Sequence, residues 1–256
     1  MDFRQELELA IELADLADAI SMPLFRDLDL VVETKADTTP VTAADRAAET
    51  AIRDRLAVAR PHHGIVGEEH GATGPDDIRW IVDPIDATMN FVRGIPVWGA
   101  LIALEVEGAI AVGVVSAPAI GHRWWAARGL GAFRNAEPIR VSGVADLSHA
   151  QLSYNSFATA EQFGIGPQMA DMERRCWRTR GFGDFWSFML VAEGAVDVAV
   201  EPIAALWDLA PLQIIVEEAG GRFTDRKGSA TPAGGNAVAT NGTLHDEVLA
   251  LLSAGS

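Results

Sequence analysis

Cysteine is almost missing from this sequence: Cys176 is the only one in 256 residues. One thiol excludes an internal disulfide and any zinc framework built on cysteine, and it fits a reducing compartment. Basic residues are also scarce, 20 Lys and Arg against 36 Asp and Glu, for a formal net charge of −16. So acidic a chain repels an extended phosphate backbone, which argues against nucleic acid as a partner. A small phosphorylated substrate stays open, provided cations or backbone N–H groups hold it locally. Uninterrupted apolar runs are missing too. The longest apolar region, Gly99 to Gly121, is broken by Glu105 and Glu107 and reads as two strands, ALIALEV and AIAVGVV, around a tight Glu107-Gly108 turn. That is a hairpin, not a membrane span. The N-terminus, MDFRQELELAIELADLADAI, lacks the basic start and compact apolar stretch of a signal peptide. These absences together lead to the expectation of a cytoplasmic protein with no membrane partner.

What is present is ordinary globular material, 49% hydrophobic and 22% charged, long enough to bury a sizeable core. No repeat or spacer-like linker divides it, so the chain reads as one unit with two halves, approximately 1–145 and 146–256. In the first half, helical spacing of Leu7, Ile11 and Ala14 predicts a helix from about residue 3 to 26, with Pro23 marking its end. A second helix follows Thr42, over Ala43 to Leu56. Short strands at Gly64 to Val66 and Trp80 to Val82, a helix start near Thr88, and the Leu101 to Val115 hairpin complete it. The second half predicts strands at Gln151 to Tyr154, Val196 to Val200 and Ala237 to Thr240. Its helices are one opened by Asp184 (Phe185 to Glu193), another from Leu209 to Ala219, and a last through Leu252. The fold class is α+β, with sheets sandwiched between helical layers.

The chemistry concentrates in WIVDPIDATMN, Trp80 to Asn90, where an apolar strand runs into Asp83 and Asp86. Pro84 cannot continue a ladder, so the strand is expected to break there, with both aspartates at its end and the Ile85 carbonyl released from pairing. Three oxygens then converge in a way that suits a hard cation such as Mg²⁺, which takes carboxylate and carbonyl oxygens while also binding phosphate. A helix beginning at Ala87-Thr88 adds unpaired N–H groups beside them. Read alone, Asp83 and Asp86 are equally turn and cap residues. Two further features argue against that reading: the paired acids Glu68 and Glu69 in GEEH after a short strand, and Asp208 at the mouth of the helix WDLAPLQIIVEEAGG.

On these segments the chain resembles the inositol monophosphatase-like, Mg²⁺-dependent phosphatases. The pieces are VTAAD (Val41 to Asp45), GEE (Gly67 to Glu69), DPIDATMNF (Asp83 to Phe91) and WDLAPLQIIVEEAGG (Trp207 to Gly221), in the family's order and across essentially the whole chain. The resemblance implies a layered α-β-α-β-α sandwich, two or three Mg²⁺ per site, and a homodimer. It implies that Glu68, Asp83 and the Ile85 carbonyl hold one cation, and that Asp83, Asp86 and Asp208 hold a second. Glu69 would order water, Thr88 hydrogen-bonded to Asp45 would orient the attacking water, and the amides of Ala87 and Thr88 would receive the phosphate. Ala87 stands where the family usually has Gly, which matters if the residue has positive φ. Met89 fills a position where a polar residue is common.

Within that family the longest matches are to the bacterial histidinol-phosphatase branch. They are FVRGIPVW (Phe91 to Trp98), VVSAPAIGHRWWAARGLGAF (Val114 to Phe133), RGFGDFWSFMLVAEGAVDVAVEP (Arg180 to Pro202) and ATNGTLHDEVL (Ala239 to Leu249). The implied reaction is hydrolysis of a small-molecule phosphate ester, L-histidinol phosphate, in histidine biosynthesis. Asp184, Glu201 and Asp208 would then line the alcohol end, because carboxylates complement a cationic amine. Trp98 or Trp186 would wall the pocket. The competing readings make Asp184 an N-cap, Glu201 a solvent-facing strand end, the tryptophans core, and Arg93 a surface residue. Two other functions remain at this point: hydrolysis of inositol 1-phosphate or a related polyol phosphate, and a non-catalytic member that binds metal or phosphate.

Overall fold

A computed structural model describes residues 2–27, 31–34 and 40–254. Its largest sheet follows from alternation along two central strands. In β5 (Ile78–Asp86) and β6 (Gly99–Val106), Ile81, Leu101 and Ala103 point to one side, while Trp80, Val82, Ile102 and Leu104 point to the other. Both faces are apolar, so both must be covered. The remaining strands are β3 (Gly64–Gly67), β4 (Gly71–Thr73), β7 (Ala109–Ala117), β8 (His122–Ala127), β9 (Gly131–Arg134) and β10 (Glu137–Ile139). Their order is β10-β9-β8-β7-β6-β5-β3-β4, antiparallel except where β3 runs parallel to β5. The β6–β7 connection is the expected tight turn, with φ of 52° at Glu107 and 78° at Gly108.

One face is covered by α1 (Arg4–Ser21) and α2 (Ala43–Ala59), packed against each other through Leu13, Ala17, Ala48 and Ile52. α1 stops earlier than the periodicity suggests. Pro23 has no N–H to give an α-helical bond, and the chain tightens into a single turn over Met22–Leu24. A small antiparallel pair, β1 (Val32–Thr34) with β2 (Pro40–Thr42), leads into α2. The other face is covered by α6 (Asp184–Ala192) and α7 (Leu206–Glu218), which also pack on a second sheet. This has the order β12-β11-β13-β15-β14, from β11 (Gln151–Tyr154), β12 (Arg178–Arg180), β13 (Val198–Glu201), β14 (Arg222–Thr224) and β15 (Ala237–Thr240). Alternation again divides the faces: Ala199 turns toward α6 and α7, while Val198 and Val200 turn toward the outer helices α4 (Phe157–Gln162), α5 (Gly166–Arg175) and α8 (His245–Ser253).

The result is five layers, α-β-α-β-α, as expected. One strand reading and one helix reading need correction. Pro84 does not end β5; the strand continues to Asp86, pairing Asp83 with Leu101 and then Asp86 with Gly99. The extra residue on β5 is absorbed as a bulge, where an unpaired position tolerates the missing proline donor. α7 begins at Leu206, not Leu209, so Asp208 is its third residue. No helix among the described residues is long and apolar enough to cross a membrane.

Candidate functional site

The bulge in β5 is what makes the site. Asp83 and Asp86 flank it, both almost fully buried, and Oδ1 of Asp83 accepts from the Ile85 amide at 3.0 Å. The Ile85 side chain turns away into a small apolar cluster with Ala44, Phe91 and Trp98, which leaves its carbonyl beside the acids. Next in the chain, Ala87 adopts φ 62° and ψ 46°, the left-handed region, and from there α3 (Thr88–Arg93) departs. The open question about Ala87 is therefore answered: its methyl group sits in a conformation that favours glycine. The Thr88 hydroxyl lies 3.0 Å from the Ile85 carbonyl oxygen and 3.3 Å from Oδ1 of Asp45. Asp45 is itself held by the capping box of α2, accepting from the Thr42 amide at 2.8 Å.

Asp208 arrives from the second half of the chain. At the third position of α7 it accepts the Ala205 amide at 2.8 Å through Oδ2. Asp83, Asp86 and Asp208 each present one carboxylate oxygen, and these oxygens lie within 4.8 Å of one another. Glu68 lines the same cavity of about 180 Å³ as Asp83, together with Ile85, Ala87 and Thr88. Burial pushes the Asp83 carboxyl well above the usual range, and the neighbouring charges of Glu68, Asp86 and Asp208 push it further. Asp86 is raised in the same direction by burial and by Asp184 and Asp208, with the Phe185 amide opposing. An all-oxygen donor set that cannot hold its own negative charge fits a hard divalent cation, which removes both penalties at once.

A second cavity, about 220 Å³, adjoins the first and shares Asp86, Asp184 and Asp208 with it. Asn155, Glu201 and Ile203 line its far side. Glu201 does not face solvent: it is 7% exposed, and its Oε1 has no hydrogen-bond partner among the described residues. Burial, reinforced by Asp184, pushes its carboxyl up to about 8. Nor does Asp184 act as an N-cap. Gly183 occupies that position, and Asp184 follows it with φ 48°, its side chain making no cap and lying 3.5 Å from Nδ2 of Asn90. Burial raises the Asp184 carboxyl as well.

Some expectations fall away. Trp98 is fully buried, edge-on to Phe91 at 4.8 Å, and lines neither cavity. Trp186 packs against Phe182 and the core and also lines neither. Arg93 is exposed outside both. Sequence reasoning missed Asn90, Asn155 and Ile203 in the cavity walls, whose residue types carry no chemical signal of their own. It also missed Glu49, which the four-residue spacing from Asp45 on α2 marks as facing the same way.

With this geometry in view, the comparisons with known proteins fall into place. The sequence profile of the inositol monophosphatase family matches residues 2–255. The histidinol-phosphatase of Mycobacterium tuberculosis is 53% identical over 256 residues, covering 98% of each chain, and that of Streptomyces coelicolor is 50% identical over 261 residues with the same coverage. Among solved structures, the extragenic suppressor protein suhB of Bartonella henselae superimposes with a TM-score of 0.90 at 30% identity, covering 98% of this chain and 100% of its own.

Proposed function

The chain belongs to the inositol monophosphatase family and is a phosphoric monoester hydrolase, and on that premise we propose that it hydrolyses L-histidinol phosphate to L-histidinol and inorganic phosphate in histidine biosynthesis. One observation carries the reading. The acidic cluster of Asp83, Asp86 and Asp208 opens directly into a second cavity walled by Asp184 and Glu201, so a phosphate site and an amine-sized acidic pocket share one wall. A polyol such as inositol offers only neutral hydroxyls, which bring these acids no counter-charge. A cationic alcohol neutralises them.

In this proposal Glu68, Asp83 and the Ile85 carbonyl hold one Mg²⁺, and Asp83, Asp86 and Asp208 hold a second, for two or three cations per site. Bound there, the cations supply Lewis acidity: they lower the pKa of water, neutralise phosphoryl oxygens and stabilise the leaving alkoxide. The chain's own groups do the rest. Thr88, held between Asp45 and the Ile85 carbonyl, orients the attacking water, and Glu69 orders further water on the same side. The amides of Ala87 and Thr88 receive the phosphate oxygens. Asp184 and Glu201 fix the amino and imidazole groups, and so aim the ester at the water in line. The division of labour follows the two halves of the chain, about 1–145 for cations and catalysis, and 146–256 for the alcohol together with Asp208. Cytoplasmic residence and a homodimer belong to the same reading.

The test is phosphate release by the purified protein on histidinol phosphate and inositol 1-phosphate in parallel, each with Mg²⁺ and with chelator. Strong Mg²⁺-dependent preference for histidinol phosphate is expected. Preference for inositol 1-phosphate would return Asp184 and Glu201 to structural roles, and silence on both with ligand binding intact would mark a non-catalytic member.

A further inference from the structure

Glu49 is fully buried and lines neither cavity, yet it is bonded to the segment that presents the paired acids. It stands one turn beyond Asp45 on α2. Its Oε2 accepts from the Glu69 amide at 2.7 Å, and its Oε1 accepts from the His70 amide at 3.1 Å and from Nε of Arg53 at 2.7 Å. Arg53, one turn further on, donates onward to Oγ1 of Thr73 at 3.2 Å and to the Gly71 carbonyl. On the opposite side the Glu68 amide donates to the Val82 carbonyl of β5 at 3.2 Å. The turn between β3 and β4 is thus clamped from both sides just where it projects Glu68 and Glu69. The clamp is also tight: a Cβ on Gly67 would collide with the Glu49 carboxylate.

The β3–β4 ladder already pairs Ile65 with Thr73 and Gly67 with Gly71, so the hairpin does not need a buried anion to form. What the carboxylate adds is a fork of two charge-assisted N–H bonds that fixes the turn's position relative to β5. We propose that Glu49 is a positioning residue: through the amides of Glu69 and His70 it sets where the Glu68 and Glu69 carboxylates stand against Asp83, and thereby the site's affinity for its divalent cation. This rests on the reading that Glu68 holds a cation. α2 then carries two supports on one face, Asp45 under Thr88 and Glu49 under the acidic turn.

The test compares the full-length protein with Glu49→Gln, which offers one acceptor oxygen and sets an NH₂ group against a backbone donor. Glu49→Asp, which keeps the charge but withdraws it by one methylene, serves as the second variant should the first fail to fold. Amide hydrogen exchange without metal is expected to accelerate at Glu69 and His70 by about 10-fold or more while β13 stays protected. Calorimetric affinity for Mn²⁺ is expected to fall by roughly 10–100-fold, the usual effect of losing an outer-shell partner, with kcat recovering at saturating Mg²⁺. Unchanged Mn²⁺ affinity overturns the proposal. So does a loss of kcat that excess Mg²⁺ cannot restore and that tracks a fall in Tm, since that marks a merely structural residue. Should the wild-type protein bind no Mn²⁺, the cluster reading fails along with the affinity claim, and the exchange rates at Glu69 and His70 still decide whether Glu49 positions the turn.

Discussion

The backbone amide of Phe185, in the first turn of α6, donates to Oδ2 of Asp86 at 3.0 Å across a sequence separation of 99 residues. The bond crosses from the helical layer between the sheets to the bulged end of β5. It is made where two consecutive residues have positive φ, Gly183 at 73° and Asp184 at 48°. Positive φ at a half-buried non-glycine residue such as Asp184 is strain held in place by its surroundings, and such strain gathers at functional sites. Here it aims an N–H at one acid of the cluster while turning the Asp184 carboxylate into both cavities.

Asp83 has the largest predicted effect on activity. Asp83→Asn is expected to lower Mg²⁺-dependent phosphate release by on the order of 100-fold or more, because the proposed role places this carboxylate between two cations. In chelator the same variant should melt no lower than the parent, since it replaces a buried carboxyl whose ionisation burial, Glu68, Asp86 and Asp208 all oppose. Phosphate-release kinetics and paired thermal melts check both halves; wild-type turnover would sink the bridging role.

Ala87 predicts a gain. With φ at 62°, Ala87→Gly relieves a left-handed strain of about 1–2 kcal/mol, offset in part by the greater freedom of glycine in the unfolded chain. The expected net stabilisation is up to about 1 kcal/mol by urea denaturation, with turnover not reduced. A destabilised variant would mean the methyl group makes contacts worth more than the strain.

The second cavity, proposed to take the alcohol, predicts a proton signature. The Glu201 carboxyl is pushed up to about 8 by burial and Asp184, so near pH 7 it carries a proton in the ligand-free protein. A cation entering the pocket favours the ionised form, and L-histidinol binding at pH 7 should therefore release a proton. Calorimetry in buffers of different ionisation enthalpy reads this directly. Glu201→Gln should abolish the release and raise KM for histidinol phosphate by about 10-fold or more, the scale of one lost charge-assisted bond, while leaving inositol 1-phosphate little changed.

Acid lability has a separate source. His245 is fully buried between the Thr224 and Thr240 hydroxyls, at 2.9 and 3.1 Å, and burial pulls its pKa down to about 4 from 6.5. Between those values the unfolded chain takes up a proton that the fold refuses. This stability is whole above about pH 6.5 and is lost as pH falls toward 4, by roughly 3 kcal/mol at 1.36 kcal/mol per unit. His245→Gln should flatten that part of the stability–pH profile, measured by denaturant titration between pH 4 and 7.

The cluster was legible in the sequence because its residue types are chemically loud. Asp83, Asp86, Glu68 and Asp208 each follow an apolar strand or open a helix, and the fold brings them into one place. The layers were legible from periodicity, and the β6–β7 hairpin from Glu107-Gly108. Three things were not. Whether Pro84 ends β5 or is absorbed by a bulge depends on the β6 partner, which pattern alone does not supply. The strands β8 to β10 and the helices α4 and α5 lie in segments of mixed periodicity, where tertiary packing decides. The state of Asp184 turns on a single φ angle, and Asp fits a cap and a left-handed turn equally well.

Asp86, Asp184 and Asp208 belong to both cavities, and this limits how the enzyme can change its substrate. On the proposed function, any drift at those positions that suited a different alcohol would also alter the field around the phosphate, so specificity and turnover would not be separately adjustable there. Asn155, Glu201 and Ile203 line only the second cavity, the one proposed to take the alcohol. They are the positions where a lineage can trade one alcohol for another and keep its chemistry, whereas the shared wall is entrenched.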